Sequence, residues 1–336
     1  MKIIKFLFII NVVFSFLSAQ GIDESLIDKV KKVSGDLLEG YSQPLVTTFG
    51  TAMGTGLFHS AYSHDLLGFD LGLRIMVIPI PSTAKYFSGT ALACSLDSNG
   101  DLVSFDVQMD SMSTIFGPEE NTYVPAPGLA VGIPRYVPGG YDLGVVGFFM
   151  PQLNIGLPIG LELGIRYLPI AVTYPFTTEG TGISLYFFGI GGKLCINKLP
   201  FMKDVPIPIS VALGGFYQIA RVKDNEGNNV INTDTWNLQF LISKRLIVFE
   251  PIIGFGLEGT DVNFRYDFEY IIPDTINNEP TEYLTEHSYV DLSFHSQNHY
   301  RAFIGFTFYF GPIYFHYDYN ITPYKIHNGI IGITIR

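Results

Sequence analysis

The sequence predicts an all-β fold, a transmembrane up-and-down antiparallel barrel of about fourteen strands, with twelve to sixteen allowed. Three observations carry this. From Leu67 to the last residue, apolar and polar residues alternate with a period of two, which puts them on opposite faces of an extended chain. The apolar sets are large and aromatic, with 20 Tyr and 28 Phe in 336 residues, and they come in runs of about ten, the length of a tilted membrane strand. The chain also starts with Lys2 and Lys5, an apolar run from Phe6 to Leu17, and Ser18–Ala19, the pattern of a signal peptide over residues 1–19.

Composition narrows the function classes. A formal charge of -11 at pH 7 argues against nucleic acid as a partner. No later stretch is apolar for the roughly twenty residues that a membrane-spanning helix needs. Export through the inner membrane therefore leads to an expected location in the outer membrane of a Gram-negative-type bacterium. Cys94 and Cys195 lie far apart, and whether they pair stays open.

Residues 20–64 come first in the mature chain. Leu26, Ile27, Val30, Val33, Leu37 and Leu38 follow a helical period over 22–39, Asp23 is placed to cap it, and Asp28 and Lys32 are spaced for an ion pair. Gly40 and Pro44 are expected to end this helix. Thr47 to Tyr62 is rich in small residues, which let a backbone approach other elements closely. The segment reads as a plug inside the barrel, with Gly50, Gly54, Gly56, His59 and His64 as plug candidates. A periplasmic helix outside the barrel is the open alternative.

The barrel is expected over 65–336. Strand candidates lie near 66–77, 87–94 and 101–109. Residues 110–140 then hold Pro118, Pro125, Pro127, Pro134 and Pro138, too many for ladder positions, and read as a long loop. Eleven further candidates follow, at about 141–155, 157–170, 182–194, 206–220, 233–243, 245–259, 261–271, 287–296, 299–310, 311–320 and 326–336. Short links near Pro158, Lys244, Thr260 and Gly311 read as periplasmic turns, and 221–232 and 272–286 as outer loops. The connection near 297–298 is too short for the outer loop that strict alternation requires. The clearest alternation sets Val262, Phe264, Tyr266, Phe268 and Tyr270 against Asp261, Asn263, Arg265, Asp267 and Glu269, the first set predicted to face lipid and the second the lumen.

Gly40–Tyr41–Ser42–Gln43–Pro44–Leu45–Val46, the stretch Phe49 to Gly56, and Leu67–Gly68–Phe69–Asp70–Leu71 resemble the start of an uncharacterised outer-membrane family of Bacteroidota and related bacteria. The layout is also similar to that of long-chain fatty-acid transporters of the outer membrane, although an Asn-Pro-Ala plug motif is missing. That resemblance implies a barrel, an N-terminal plug and a side opening for hydrophobic cargo.

The polar face supplies the candidate sites. Asp70 and Arg74, and Glu162 and Arg166, lie four apart on single strands, about 13 Å in extended chain, so their partners are expected on neighbouring strands. With Arg265, Asp267, Glu269, Arg301, His316 and Asp318 they form the candidate lumen lining of mixed sign. A network that merely fills the barrel is the alternative to a selective path. The histidines lack metal-ligand spacing, no Gly-x-Ser-x-Gly elbow is present, and the glycines at 189–192 do not precede a helix, so no metal, cofactor or enzymatic activity is expected. The expected function is a passive channel or transporter for small molecules, hydrophobic ones included. A structural or assembly barrel with a filled lumen, and a surface receptor or adhesin, are the alternatives. Expected partners are outer-membrane lipid, a small hydrophobic ligand and the barrel-assembly machinery.

Overall fold

The computed structural model describes residues 24–96, 102–123, 136–173, 182–202, 208–223, 227, 229–276 and 279–335. The predicted signal peptide, the cap at Asp23 and residues 124–135 of the proline-rich loop lie outside them. So do the side chains of Asp28, Lys32, Cys94, Asp267 and Glu269.

One long helix, α1 (Glu24–Met53), precedes strands β1 (Phe69–Pro79), β2 (Tyr86–Leu96), β3 (Leu102–Ser113), β4 (Thr122–Tyr123), β5 (Tyr136–Val137), β6 (Val145–Gly156), β7 (Leu161–Thr173) and β8 (Gly182–Cys195). Strands β9 (Ser210–Lys223), β10 (Asn229–Ser243), β11 (Phe249–Ile276), β12 (Glu279–His295), β13 (Tyr300–Phe310), β14 (Ile313–Ile321) and β15 (Ile326–Ile335) follow. The chain divides into two compact units: residues 1–45, 80–144 and 264–292 in one, and 46–79, 145–263 and 293–336 in the other.

The second unit holds the barrel. Its strands run in the order β10-β9-β8-β7-β6-β1-β15-β14-β13-β11, and a β10–β11 pairing closes the ring at ten strands, with β12 added beside β11. The first and last barrel strands, β1 and β15, pair antiparallel from Phe69↔Ile335 to Val77↔His327.

Fourteen predicted strands become ten for three physical reasons. Residues 86–113 form a separate two-stranded sheet, β2–β3, rather than barrel strands. No turn exists at Thr260, and 245–259 and 261–271 belong to one strand, β11. Finally, β12 and β13 lie one after the other along the same neighbour. β13 pairs with β11 from Phe249↔Phe308 to Leu257↔Tyr300, Glu258 N–H then donates to His299 O, and Ser296 N–H donates to Thr260 O. The register slips by one residue there, so the short 296–299 connection is a bulge-like break in one barrel wall, not a turn.

The unbroken β11 also reverses one predicted face. Even-numbered residues from Glu250 to Thr260 point inward, and the parity carries on, so Val262 and Phe264 are buried while Asp261, Asn263 and Arg265 are exposed. Arg265 is therefore not a lumen residue.

Outward residues Ile253, Phe255 and Leu257 of β11 are all about half exposed or close to it, and Phe249 is partly exposed. Nine residues at about 3.3 Å each, tilted by about 40°, span roughly 20–25 Å, close to the apolar band of a membrane barrel. Leu71, Leu73, Ile75 and Val77 repeat this face on β1 and Ile331, Ile333 and Ile335 on β15, whereas Asp70 and Arg74 point inward and are fully buried. The tight turns use left-handed backbone at Ile159, Gly160, Ile247 and Gly311.

In the first unit, α1 continues through Gly40 and Pro44 instead of ending there. Gly40 serves packing: the ring of Phe87 lies 2.2 Å from where a Cβ would be, so no larger residue fits. Leu37 and Phe87 pack on Met109, Met112 and Val137. Ile115 N–H donates to Tyr41 O, and Tyr41 Oη to Gly139 O at 3.3 Å. Burial, with Tyr141 beside it, pushes the Tyr41 phenol up to about 12.

Candidate functional site

Residues 46–65 thread the inside of the ring. Gln297 N–H donates to Thr47 Oγ1, and from there the backbone meets wall side chains in order: Thr51 at Arg301, Leu57 at Gln152, His59 at Thr307, Ala61 at Ser243, and Ser63 at Lys198. The small residues make the fit possible. A Cβ on Gly50 would lie 2.6 Å from Thr260 Oγ1, one on Gly54 2.2 Å from Glu258 Oε2, and Gly56 adopts φ +65° against Asn328 and Arg74.

Where α1 ends, its last carbonyls need donors and the helix dipole is negative. Three buried wall arginines supply both. Arg301 donates to Thr51 O at 2.7 Å, Arg166 to Met53 O and Thr55 O at 2.8 Å each, and Arg74 to Gly56 O at 3.2 Å. Gln218 and Gln239 add donors to Met53 O and Gly54 O.

The carboxylates balance these charges unevenly. Glu258 takes both Nε and Nη2 of Arg301, at 2.9 and 3.0 Å, and also Asn237. Asp70 accepts from Tyr314 and Asn154 and pairs with Arg74 at 3.4 Å. Glu162 binds Lys193 at 3.2 Å and His64 at 2.8 Å, while Lys193 also donates to Ser60 O and Tyr62 O. His316 bridges Asp318 and Thr307, and His59 stacks on Tyr314 with centroids 4.3 Å apart. Arg166 has no carboxylate partner among the described residues; its acceptors are Met53 O at the helix end, Thr55 O just beyond it, Gln152 and Gln218.

The structure thus brings Asp70, Arg74, Glu162, Arg166, Arg301, His316 and Asp318 into one buried lumen with Gly50, Gly54, Gly56, His59 and His64. Glu250, Glu258 and Lys193 belong to it as well and were missed from sequence. For the two glutamates the signal was strand parity: Glu250 and Glu258 share a face within the predicted strand 245–259. Ligand atoms of His64, Asp70 and Glu162 lie within 4.8 Å of one another, a geometry that could hold a metal ion. Lys193 and Arg74 already neutralise the two carboxylates, and both His64 nitrogens are engaged, so the cluster reads as an ion-pair network.

Among the described pairings, the β6–β7 wall has a weak seam. Strands β6 and β7 pair only from Gln152↔Arg166 to Gly156↔Glu162. Beyond that, 145–151 pair with β1 alone and 167–173 with β8 alone, leaving two facing edges open. Pro151 and Pro169, one on each strand, withhold ladder donors. Behind the seam lies a cavity of about 130 Å³ lined by Phe49, Ala52 and Met53 of α1, and by Met76, Phe148, Met150, Leu168, Leu185 and Phe187 of the wall, with Arg166 as its charged member. Phe49 and Phe148 meet edge to face at 5.9 Å. Three methionines give the lining an adaptable shape.

No curated protein matches the sequence. The β domain of the Bordetella autotransporter Brka is similar at 11% identity, over 80% of this chain and 100% of that one, with a TM-score of 0.25. Salmonella typhi OmpF, solved in complex with daunomycin, is 10% identical over 80% of this chain and 97% of its own, with a TM-score of 0.23. The outer membrane channel DcaP of Acinetobacter baumannii is 11% identical over 81% and 96%, with a TM-score of 0.19. A family of unknown function, DUF6588, matches over residues 1–335, and the chain belongs to that family.

Proposed function

We propose that this protein is an exported outer-membrane barrel that admits a small hydrophobic molecule sideways, through the β6–β7 seam, into the cavity on the plug. The observation that carries the reading is the unpaired seam backed by an apolar cavity. In a membrane, unpaired strand edges facing lipid are costly, so a seam kept open is a place where function is sought. The plug occupies the polar lumen, and this favours lateral entry over an ion-conducting path.

The test is to fill the cavity. Ala52→Phe adds a ring beside Met53 and Phe187. In crystals soaked with 1-bromooctane, wild type should show a bromine anomalous peak between Met53, Met76 and Met150, and the variant none. Cells expressing the variant should take up radiolabelled decanol more slowly than cells with wild type. Equal uptake would overturn the reading. The extent of the plug network favours one second reading, a structural barrel with no cargo, which predicts that equality.

A further inference from the structure

The outward side of β15 changes character along its length. His327, Gly329, Ile331, Ile333 and Ile335 share one face in order; His327 is exposed, and so is Lys325, which lies just before the strand begins. Gly329 leaves a notch: nothing lies within 4 Å of the Cβ it would carry. Its register partners are Ile75 on β1 and Tyr317 on β14. The notch is part of a groove of about 390 Å³ whose outward lining is Ile75, Val77, Phe315, Tyr317 and Ile331, with His327 at its polar end.

The chemistry at that end is directional. Tyr317 Oη and His327 Nδ1 lie 2.8 Å apart. With the phenol donating to Nδ1, the imidazole proton sits on Nε2 of this exposed side chain. Lys325, exposed and two residues before His327 in the chain, makes no ion pair among the described residues. Tyr319, 5.1 Å from the His327 ring, completes an aromatic edge of the kind found at membrane interfaces.

We infer that this face binds one anionic membrane lipid, its acyl chain in the Gly329 groove and its phosphate on Lys325 Nζ and His327 Nε2. Charge complementarity selects the occupant: an apolar slot that ends in an ammonium group and a ring N–H fits a lipid phosphate better than a neutral chain. The inference rests on the membrane reading above and not on the seam.

The experiment is native mass spectrometry of the full barrel released from vesicles of phosphatidylglycerol or phosphatidylcholine. Wild type should retain one phosphatidylglycerol and release phosphatidylcholine. Lys325→Ala with His327→Phe should weaken retention by about tenfold, and Gly329→Val, which fills the notch, should weaken it independently. Wild-type Trp236 fluorescence in each variant verifies the fold. Equal retention of both lipids, or unchanged retention in the variants, overturns the inference while leaving the membrane reading intact. Displacement of the lipid by excess inorganic phosphate also overturns it, since the site would then be for the free anion. Failure of wild type to insert into vesicles at all overturns both.

Discussion

Arg301→Ala tests whether the plug is held by the wall's buried charges. Arg301 is 1% exposed and Glu258 3%, and the guanidinium makes two bonds to that carboxylate. It also donates to Thr51 O, Thr55 Oγ1 and Asn320 Oδ1. Truncation leaves Glu258 charged and buried and removes one of the two donors to Thr51 O, the other being Thr55 Oγ1. Breaking a buried pair in this way costs about 3–5 kcal/mol. For a denaturant dependence of about 3 kcal/mol per molar in guanidinium, the unfolding midpoint falls by roughly 1–2 M. Trp236, the single tryptophan, packs on Gly259 beside Glu258 and reports the transition by fluorescence in reconstituted vesicles. The pair variant Arg301→Met with Glu258→Leu removes both charges and should recover most of the loss, leaving about 0.5–1.5 kcal/mol for the lost hydrogen bond to Thr51 O, which keeps its Thr55 Oγ1 donor. Arg265→Ala, on the exposed side of β11, should stay within about 0.5 kcal/mol of wild type. A midpoint shift below about 0.3 M for Arg301→Ala, equal to that of Arg265→Ala, would refute the account of the lumen as an anchored plug.

Further outcomes follow from the same geometry. Gly54→Ala, whose methyl would lie 2.2 Å from Glu258 Oε2, should lower stability by about 1–3 kcal/mol in the same denaturation assay. With Cys94 and Cys195 changed to Ser, Ala61→Cys and Ser243→Cys should form a disulfide visible as a gel-mobility shift, because Ala61 N lies 3.0 Å from Ser243 Oγ; a helix outside the barrel would give none. Tyr41's phenol, raised to about 12 from an ordinary value near 10, adds stability that is full below about pH 10 and is lost as pH rises toward 12. Tyr41→Phe should therefore remove that part of the alkaline unfolding transition followed by Trp236 fluorescence. In planar bilayers wild type should show no steady ion conductance, since residues 46–65 occupy the lumen.

What could be read in advance was the local rule, and what could not was its continuity. Alternation identified the faces of β1, β7 and β13–β15 because inward charges such as Asp70, Arg74 and Glu162 sit between outward Leu, Ile and Tyr. The same rule failed at Thr260, where the residue type suits a turn but the chain extends. An error of one boundary there turned a 28-residue strand into two and reversed the face of Arg265. Gly40 and Pro44 misled in another way. Each is a local helix breaker, yet the helix persists because the contact with Phe87 at Gly40 requires the missing side chain, a tertiary reason invisible in local pattern. The lumen partners of Arg301 and Arg166 lie on elements far away in sequence, and no spacing rule pairs residues 258 and 301, or 53 and 166. The β6–β7 seam was equally hidden, for alternation persists on both strands and only Pro151 and Pro169 mark where the ladder stops. Local pattern thus reports which way a residue faces. Whether two edges meet depends on the register of neighbours, and in this barrel the feature that bears on function is an edge that does not meet its neighbour.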